Sequence, residues 1–182
     1  LKEEARRGRL PFDKDLLLNL AFFLDHQYVE WNSEIGGIQQ AKRQKGMENA
    51  PRPVANKILH FVMKQRSSAL ETKPTVDVLP ATDDPVDLGH ASVSLAYLRW
   101  LAEPQVADID SEVADGVLWA LSSGESYMKW TWDDVEKRGQ GVACSPLEVY
   151  PDPYARKFKE CRYIIHEQFL DVDRVKAIYG QE

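Results

Sequence analysis

Ser123-Gly-Glu-Ser-Tyr-Met-Lys-Trp-Thr-Trp-Asp133 is where the character of this 182-residue chain changes. From Tyr127 to Asp133 it alternates at period two: Met128, Trp130 and Trp132 face one way, Tyr127, Lys129 and Thr131 the other, as on a strand. Upstream, apolar residues recur at steps of three and four, the spacing of one helical face. Downstream, short β-rich runs are separated by turn residues. Helices first and strands later predict an α+β fold rather than alternating βαβ units. The expected architecture is N-terminal helices and a helical hairpin packed with a small, mostly antiparallel sheet, as a single domain over 1–182.

Working back from that switch, Asp108 or Asp110 can cap a helix whose Ile109, Val113, Val117 and Leu121 share a face, closed by Gly124. Asp84 and Pro85 open the helix before it, with the stripe Leu88, Ala91, Leu95, Leu98 and Ala102, ended by Pro104. These two form the hairpin. Pro74-Thr-Val-Asp-Val-Leu-Pro80 alternates between prolines and reads as a short edge strand. A helix after Pro53 carries Val54, Ile58, Phe61, Val62 and Ala69 on one side, and the polar stretch 32–52 reads as a loop or loose hairpin. The first helix is expected from Phe12 to Trp31, with Pro11 in its first turn and the stripe Phe12, Leu16, Leu20, Phe23 or Leu24, Tyr28 and Trp31. Working forward, a polar turn holds Gly139 and Gly141, Leu147 to Tyr150 forms a strand broken by Pro151-Asp-Pro153, and Cys161 to Phe169 is β-rich. Asp171 caps a last helix with Val172, Val175 and Ile178, ending at Gly180.

Composition removes several function classes. No apolar run approaches the roughly 18 residues of a membrane span, and the charged start has no apolar region behind it, so it is no signal peptide; no membrane partner is expected. The first residue is Leu1, which suggests a processed or cut chain. Cys144 and Cys161 have no close pairing, as in a reducing compartment or a core. A net charge of −6 argues against a protein that coats nucleic acid.

Motif chemistry points away from an enzyme. His26, His60, His90 and His166 are scattered without zinc-site spacing. Asp108, Asp110, Glu112 and Asp115 resemble a calcium loop, but Val113 and Trp119 stand where Gly and Glu are needed; acids at a helix start explain them. Asp152 with Glu160 and Arg162 echoes a metal-dependent nuclease, yet Arg162 stands where a lysine should be, and a Pro-Asp-Pro turn accounts for the pattern. Ser67, Ser68, Ser122, Ser123 and Ser126 lack a nucleophile elbow, and no phosphate-binding glycine loop occurs. No catalytic residue, metal or cofactor is assigned. The basic group Lys42, Arg43, Lys45 and Arg52 reads as a solvated loop, with nucleic-acid phosphate contact as its functional alternative. Trp130 and Trp132 share a strand face, as in a core or an interface.

The linear order of blocks carries more than any one motif: Arg52-Pro-Val-Ala-Asn56 at a helix start, the Gly124-to-Trp132 strand, Ser145-Pro-Leu-Glu-Val-Tyr-Pro-Asp-Pro153, Glu160-Cys-Arg-Tyr-Ile-Ile165 and a terminal helix closing on Tyr179-Gly180. Over roughly 12–180 this order resembles the N-terminal wing of portal (head-to-tail connector) proteins of tailed double-stranded DNA phages, the short-tailed type especially. One block departs, since Asp25-His-Gln-Tyr28 stands where the family often has Gly-x-Gln-Trp. The resemblance implies a structural virion protein assembled in the host cytoplasm. It implies a homo-oligomeric ring, commonly dodecameric, at one capsid vertex. DNA would pass through the ring, and terminase, capsid and tail factors would dock on it. Stem, clip and crown would lie outside this chain. Such a ring needs heterologous subunit contacts. Trp100 and Trp119, off the main stripes of their helices, are the candidate interface residues, with a second buried face as the alternative. The alternative function is a metal-dependent phage nuclease or other hydrolase using the acidic clusters.

Overall fold

The computed structural model describes residues 1–47, 49–72, 76–134 and 136–180. Its fold is α+β. Helix α1 (Lys2–Phe23) begins ten residues before the expected start, carries Pro11 in its interior and stops before Tyr28 and Trp31. Asp25, at φ 76, turns the chain out of the helix. Tyr28 and Trp31 then belong to a hairpin of β1 (Val29–Asn32) and β2 (Gly37–Gln40), with Trp31 opposite Ile38. The buried face of α1 is Ala5, Arg9, Leu16 and Ala21; Phe12, expected in the core, is exposed. That face is chosen by what lies against it. Gly8 sits so close to Pro153 that an added Cβ would come 2.4 Å from the proline Cβ.

Asn56 caps α2 (Lys57–Glu71), its side chain accepting from the Leu59 N–H and donating to the Phe23 carbonyl, which joins α2 to the end of α1. Val62 is the buried member of the expected α2 stripe; Ile58 and Phe61 are exposed. Residues 76–80 form no strand, and Pro74 and Thr75 lie outside the described residues. Prolines remove ladder donors, and among the described residues no strand is paired with this segment. Asp84 caps α3 (Pro85–Leu101) through the Val86 N–H, as expected. Helix α4 (Ile109–Ser123) ends on left-handed Gly124, while Asp108 itself is left-handed and makes no side-chain cap bond. Arg66 of α2 donates to the Ala114 carbonyl and so fixes α2 against α4. The α3–α4 pair is not a closed hairpin: a groove separates the two helices.

Strand β3 (Tyr127–Asp133) pairs antiparallel with β4 (Arg138–Cys144), so Gly139 and Gly141 lie in a strand rather than a turn. The register explains their presence. Trp132 stands opposite Gly139 and Trp130 opposite Gly141, and a Cβ on Gly141 would meet the Trp130 ring at 3.0 Å. A tryptophan laid across a bare strand position needs glycine there. Beyond a single helical turn at Pro146–Glu148, β5 (Val149–Pro151) pairs with β6 (Ile164–His166); the strands are shorter than expected and Pro151 is inside one. Among the described residues the antiparallel pairing is thus spread over three two-stranded ladders. Helix α5 (Val172–Tyr179) follows Asp171, which makes no side-chain cap bond. The Ile178 side chain lies outside what is described.

Candidate assembly surface

The described molecule holds itself together at two polar centres. Arg9, 6% exposed, donates from Nη1 to the Val149 carbonyl at 2.9 Å, from Nη2 to Glu125 at 3.1 Å and from Nε to Asp13 at 3.1 Å. The Tyr127 hydroxyl donates to the same Glu125. Burial alone would lower the Arg9 pKa, but Tyr127 and Glu125 outweigh it and the guanidinium is held more firmly charged than usual. Burial pushes the Asp13 carboxyl up against the pull of Arg9, and pushes the Tyr127 hydroxyl up as well. One side chain thereby ties α1 to β3 and β5. The basic start of the sequence gave no sign of this, because nothing in its spacing separates Arg9 from its exposed neighbours Arg6 and Arg7.

The second centre is Asp152, whose carboxylate is buried. It accepts from Arg162 Nε at 2.7 Å, from Arg162 Nη2 at 3.2 Å, and from the backbone N–H groups of Tyr154 and Arg162. The bidentate Arg162 contact brings its pKa down to about 2. The arginine also lies over the rings of Tyr154 and Tyr163. A carboxylate whose lone pairs are committed in this way is a turn clamp, and Glu160 makes none of its hydrogen bonds. Among the described residues no three of His, Cys, Asp and Glu converge as metal ligands. Cys144 and Cys161 are free thiols, the first buried and pushed up in pKa by that burial.

The basic loop is partly committed to its own shape. Arg52 donates to the Ala41 carbonyl and lies 4.9 Å over the Tyr28 ring; Arg43 donates to the Ala50 carbonyl. Lys42 and Lys45 are exposed. Of the two candidate interface tryptophans, Trp100 is exposed beside Tyr97, with ring centroids 5.7 Å apart, and Trp119 is half-buried on α4.

What remains is a large uncovered surface. A compact monomer of 20.8 kDa exposes about 8,900 Å², whereas this chain exposes 13866 Å². It buries about 54% of its unfolded surface where about 70% is usual for this length, so its core is smaller than that length allows. Large apolar side chains such as Phe61, Val93, Trp130 and Trp132 stand in the open. Leu70, Leu95, Ile109, Val113 and Val117 are half-buried and, with Leu98, line a groove of about 910 Å³ between α2, α3 and α4, with Trp130 at its edge. Of these, Leu95, Leu98, Ile109, Val113 and Val117 are on the helical stripes read from the sequence, and the element missing from that reading is the layer that covers them. No helix among the described residues is long and apolar enough to cross a membrane. Comparison with protein-family models, with curated proteins and with solved structures returns no match for this chain.

Proposed function

We propose that this chain is the wing part of a portal subunit of a tailed double-stranded DNA phage. In that role it is a structural, non-enzymatic virion protein, at the capsid vertex where DNA is packaged and ejected and where terminase and tail factors attach. The observation that carries the proposal, alongside the order of sequence blocks, is the amount of uncovered surface, with many large apolar side chains on it: a total of 13866 Å² on a chain of this mass suits a piece of a larger ring better than a self-contained enzyme. The charge agrees. A channel that lets DNA slide should not grip phosphates, since each firm contact adds salt-dependent affinity, and the net charge here is −6.

The test is light scattering with negative-stain imaging on the whole gene product that contains residues 1–182. A large ring with a central hole is expected. A Mg²⁺-dependent nuclease activity that disappears in a folded Asp152→Ala variant would instead assign the chain to the hydrolases.

A further inference from the structure

The hairpin of β3 and β4 has two outer edges, and only one of them is closed. In an antiparallel pair, two residues opposite each other either exchange both backbone hydrogen bonds or both turn their backbone groups away. The Gly139 N–H donates to the Tyr97 hydroxyl at 3.1 Å, and the Ala143 N–H donates to Glu112 at 2.6 Å. These two residues, and Gly141 between them, therefore turn outward from β4, where side chains of α3 and α4 meet them. The register carries that phase across the ladder. Trp132, Trp130 and Met128 stand opposite Gly139, Gly141 and Ala143, so they turn their N–H and carbonyl groups outward from β3. Among the described residues no strand pairs with that edge and no group bonds to it.

The β3 edge also lacks the usual guards against pairing. It runs seven residues with no proline and no bulge. The ammonium of Lys129, the charge nearest its centre, lies 3.3 Å from His166 Nδ1. Lys129 to Trp132 are all exposed, Trp130 by 58% and Trp132 by 59%. A free row of alternating donors and acceptors is complementary to another extended backbone. A two-stranded hairpin is marginal by itself, whereas a wider sheet with an apolar face is stable.

The sequence of β3 fits one strand in particular, its own copy. Laid antiparallel on itself about Trp130, Met128 meets Trp132 of the second copy, Trp130 meets Trp130, and Trp132 meets Met128. All three outward-turned residues then make hydrogen-bonded pairs, and the apolar side chains of both copies share one face. On the other face Tyr127 meets Asp133 and Lys129 meets Thr131, so no like charges are opposed. Sliding the pair by two residues either way leaves one of the three outward residues beyond the partner strand.

We propose that β3 of one copy pairs antiparallel with β3 of a second copy, Trp130 opposite Trp130, to form a continuous β4–β3–β3–β4 sheet about a two-fold axis. Such a contact is isologous. It is not the head-to-tail contact between ring neighbours, and it goes beyond the portal reading without resting on it.

The experiment is sedimentation velocity on the chain, on Trp130→Lys, on Trp130→Glu and on an equal mixture of the two variants. The unaltered chain is expected to be a dimer. Each substitution sets like charges against each other on the axis, and each variant alone should associate about 30-fold or more weakly. The mixture should regain a one-to-one dimer, because lysine then faces glutamate. A monomeric unaltered chain, variants that associate as it does, or a mixture no tighter than its parts would each overturn the proposal. Should circular dichroism show that either variant unfolds, Thr131 repeats the test, since it is exposed and on the opposite face from Trp130. Thr131→Glu should tighten the dimer and Thr131→Lys weaken it, each about 5-fold, through its two contacts with Lys129. Equal effects of the two would overturn the pairing. Ring formation by the whole gene product decides the portal reading separately.

Discussion

Helices α1 and α3 are of similar kind and opposite fate. Helix α1 is rich in charge, contains a proline, and is nevertheless packed, through Arg9, Gly8 against Pro153, and the Lys2 and Arg6 ion pairs to Glu167. Helix α3 is the more apolar sequence, is cleanly capped by Asp84, and buries Leu101 among its 17 residues. The difference shows that hydropathy sets what a helix can bury, whereas neighbours set what it does bury. Where a polar group such as Arg9 has every partner supplied, it goes inside; where an apolar stripe has no second layer, it stays out.

The largest way to break this contrast is at Arg9. Arg9→Ala leaves Glu125, Asp13 and the Val149 carbonyl without their shared donor. Because Glu125 and Asp13 keep some contact with water, the loss should sit at the low end for a broken buried pair, about 3 kcal/mol. Urea unfolding should show it as a lower midpoint at unchanged slope. A loss below about 1 kcal/mol would mean that Arg9 is a surface residue in solution, and the account of α1 would fail.

A glycine pair sharpens the contrast. Gly8→Ala puts a Cβ against Pro153, so overpacking should exceed the gain in helix propensity, for a net loss of about 1 kcal/mol. Gly89→Ala meets open space on α3 and should stabilise the isolated chain by about 1 kcal/mol. The same substitution thus takes opposite signs on the two helices, which thermal melts can read. Equal signs would remove the distinction.

Much of the fold was legible because its signals are local. The Asp84 cap, the Gly124 stop, the period-two run from Tyr127 to Asp133 and the break at Asp152 are each written within a few residues. The failures needed a distant partner. Gly139 and Gly141 look like a turn until Trp132 and Trp130 are placed opposite them. Pro11 looks like a helix start until Arg9 is seen to reach Val149, 140 residues away. Of the candidate site, the apolar stripes were legible and their exposure was not, since periodicity cannot say whether the covering layer belongs to the same chain.

Acid offers a third test. Asp152 has a folded pKa of about 2 against about 3.9 when unfolded, so its contribution is complete above pH ~4 and disappears as the pH falls toward 2. Glu167, held low by Lys2 and Arg6, acts in the same direction, while Asp13, raised by burial, offsets part of it. Stability should therefore decline across that window, and Asp152→Asn should flatten the decline while starting from a lower value. An unchanged profile in Asp152→Asn would detach Asp152 from Arg162.

The smallest expected effect is the most telling for α3. Leu88 is on the stripe that sequence alone assigns to the core, and it is 49% exposed. Truncating a buried leucine to alanine costs about 2–5 kcal/mol, but half of this side chain is already in water and alanine is the better helix former. Leu88→Ala should therefore cost the isolated chain about 0.5 kcal/mol. A loss of several kcal/mol would mean that α3 closes onto the groove in solution and covers its own apolar face. That closure would take away the uncovered apolar surface on which the assembly reading rests.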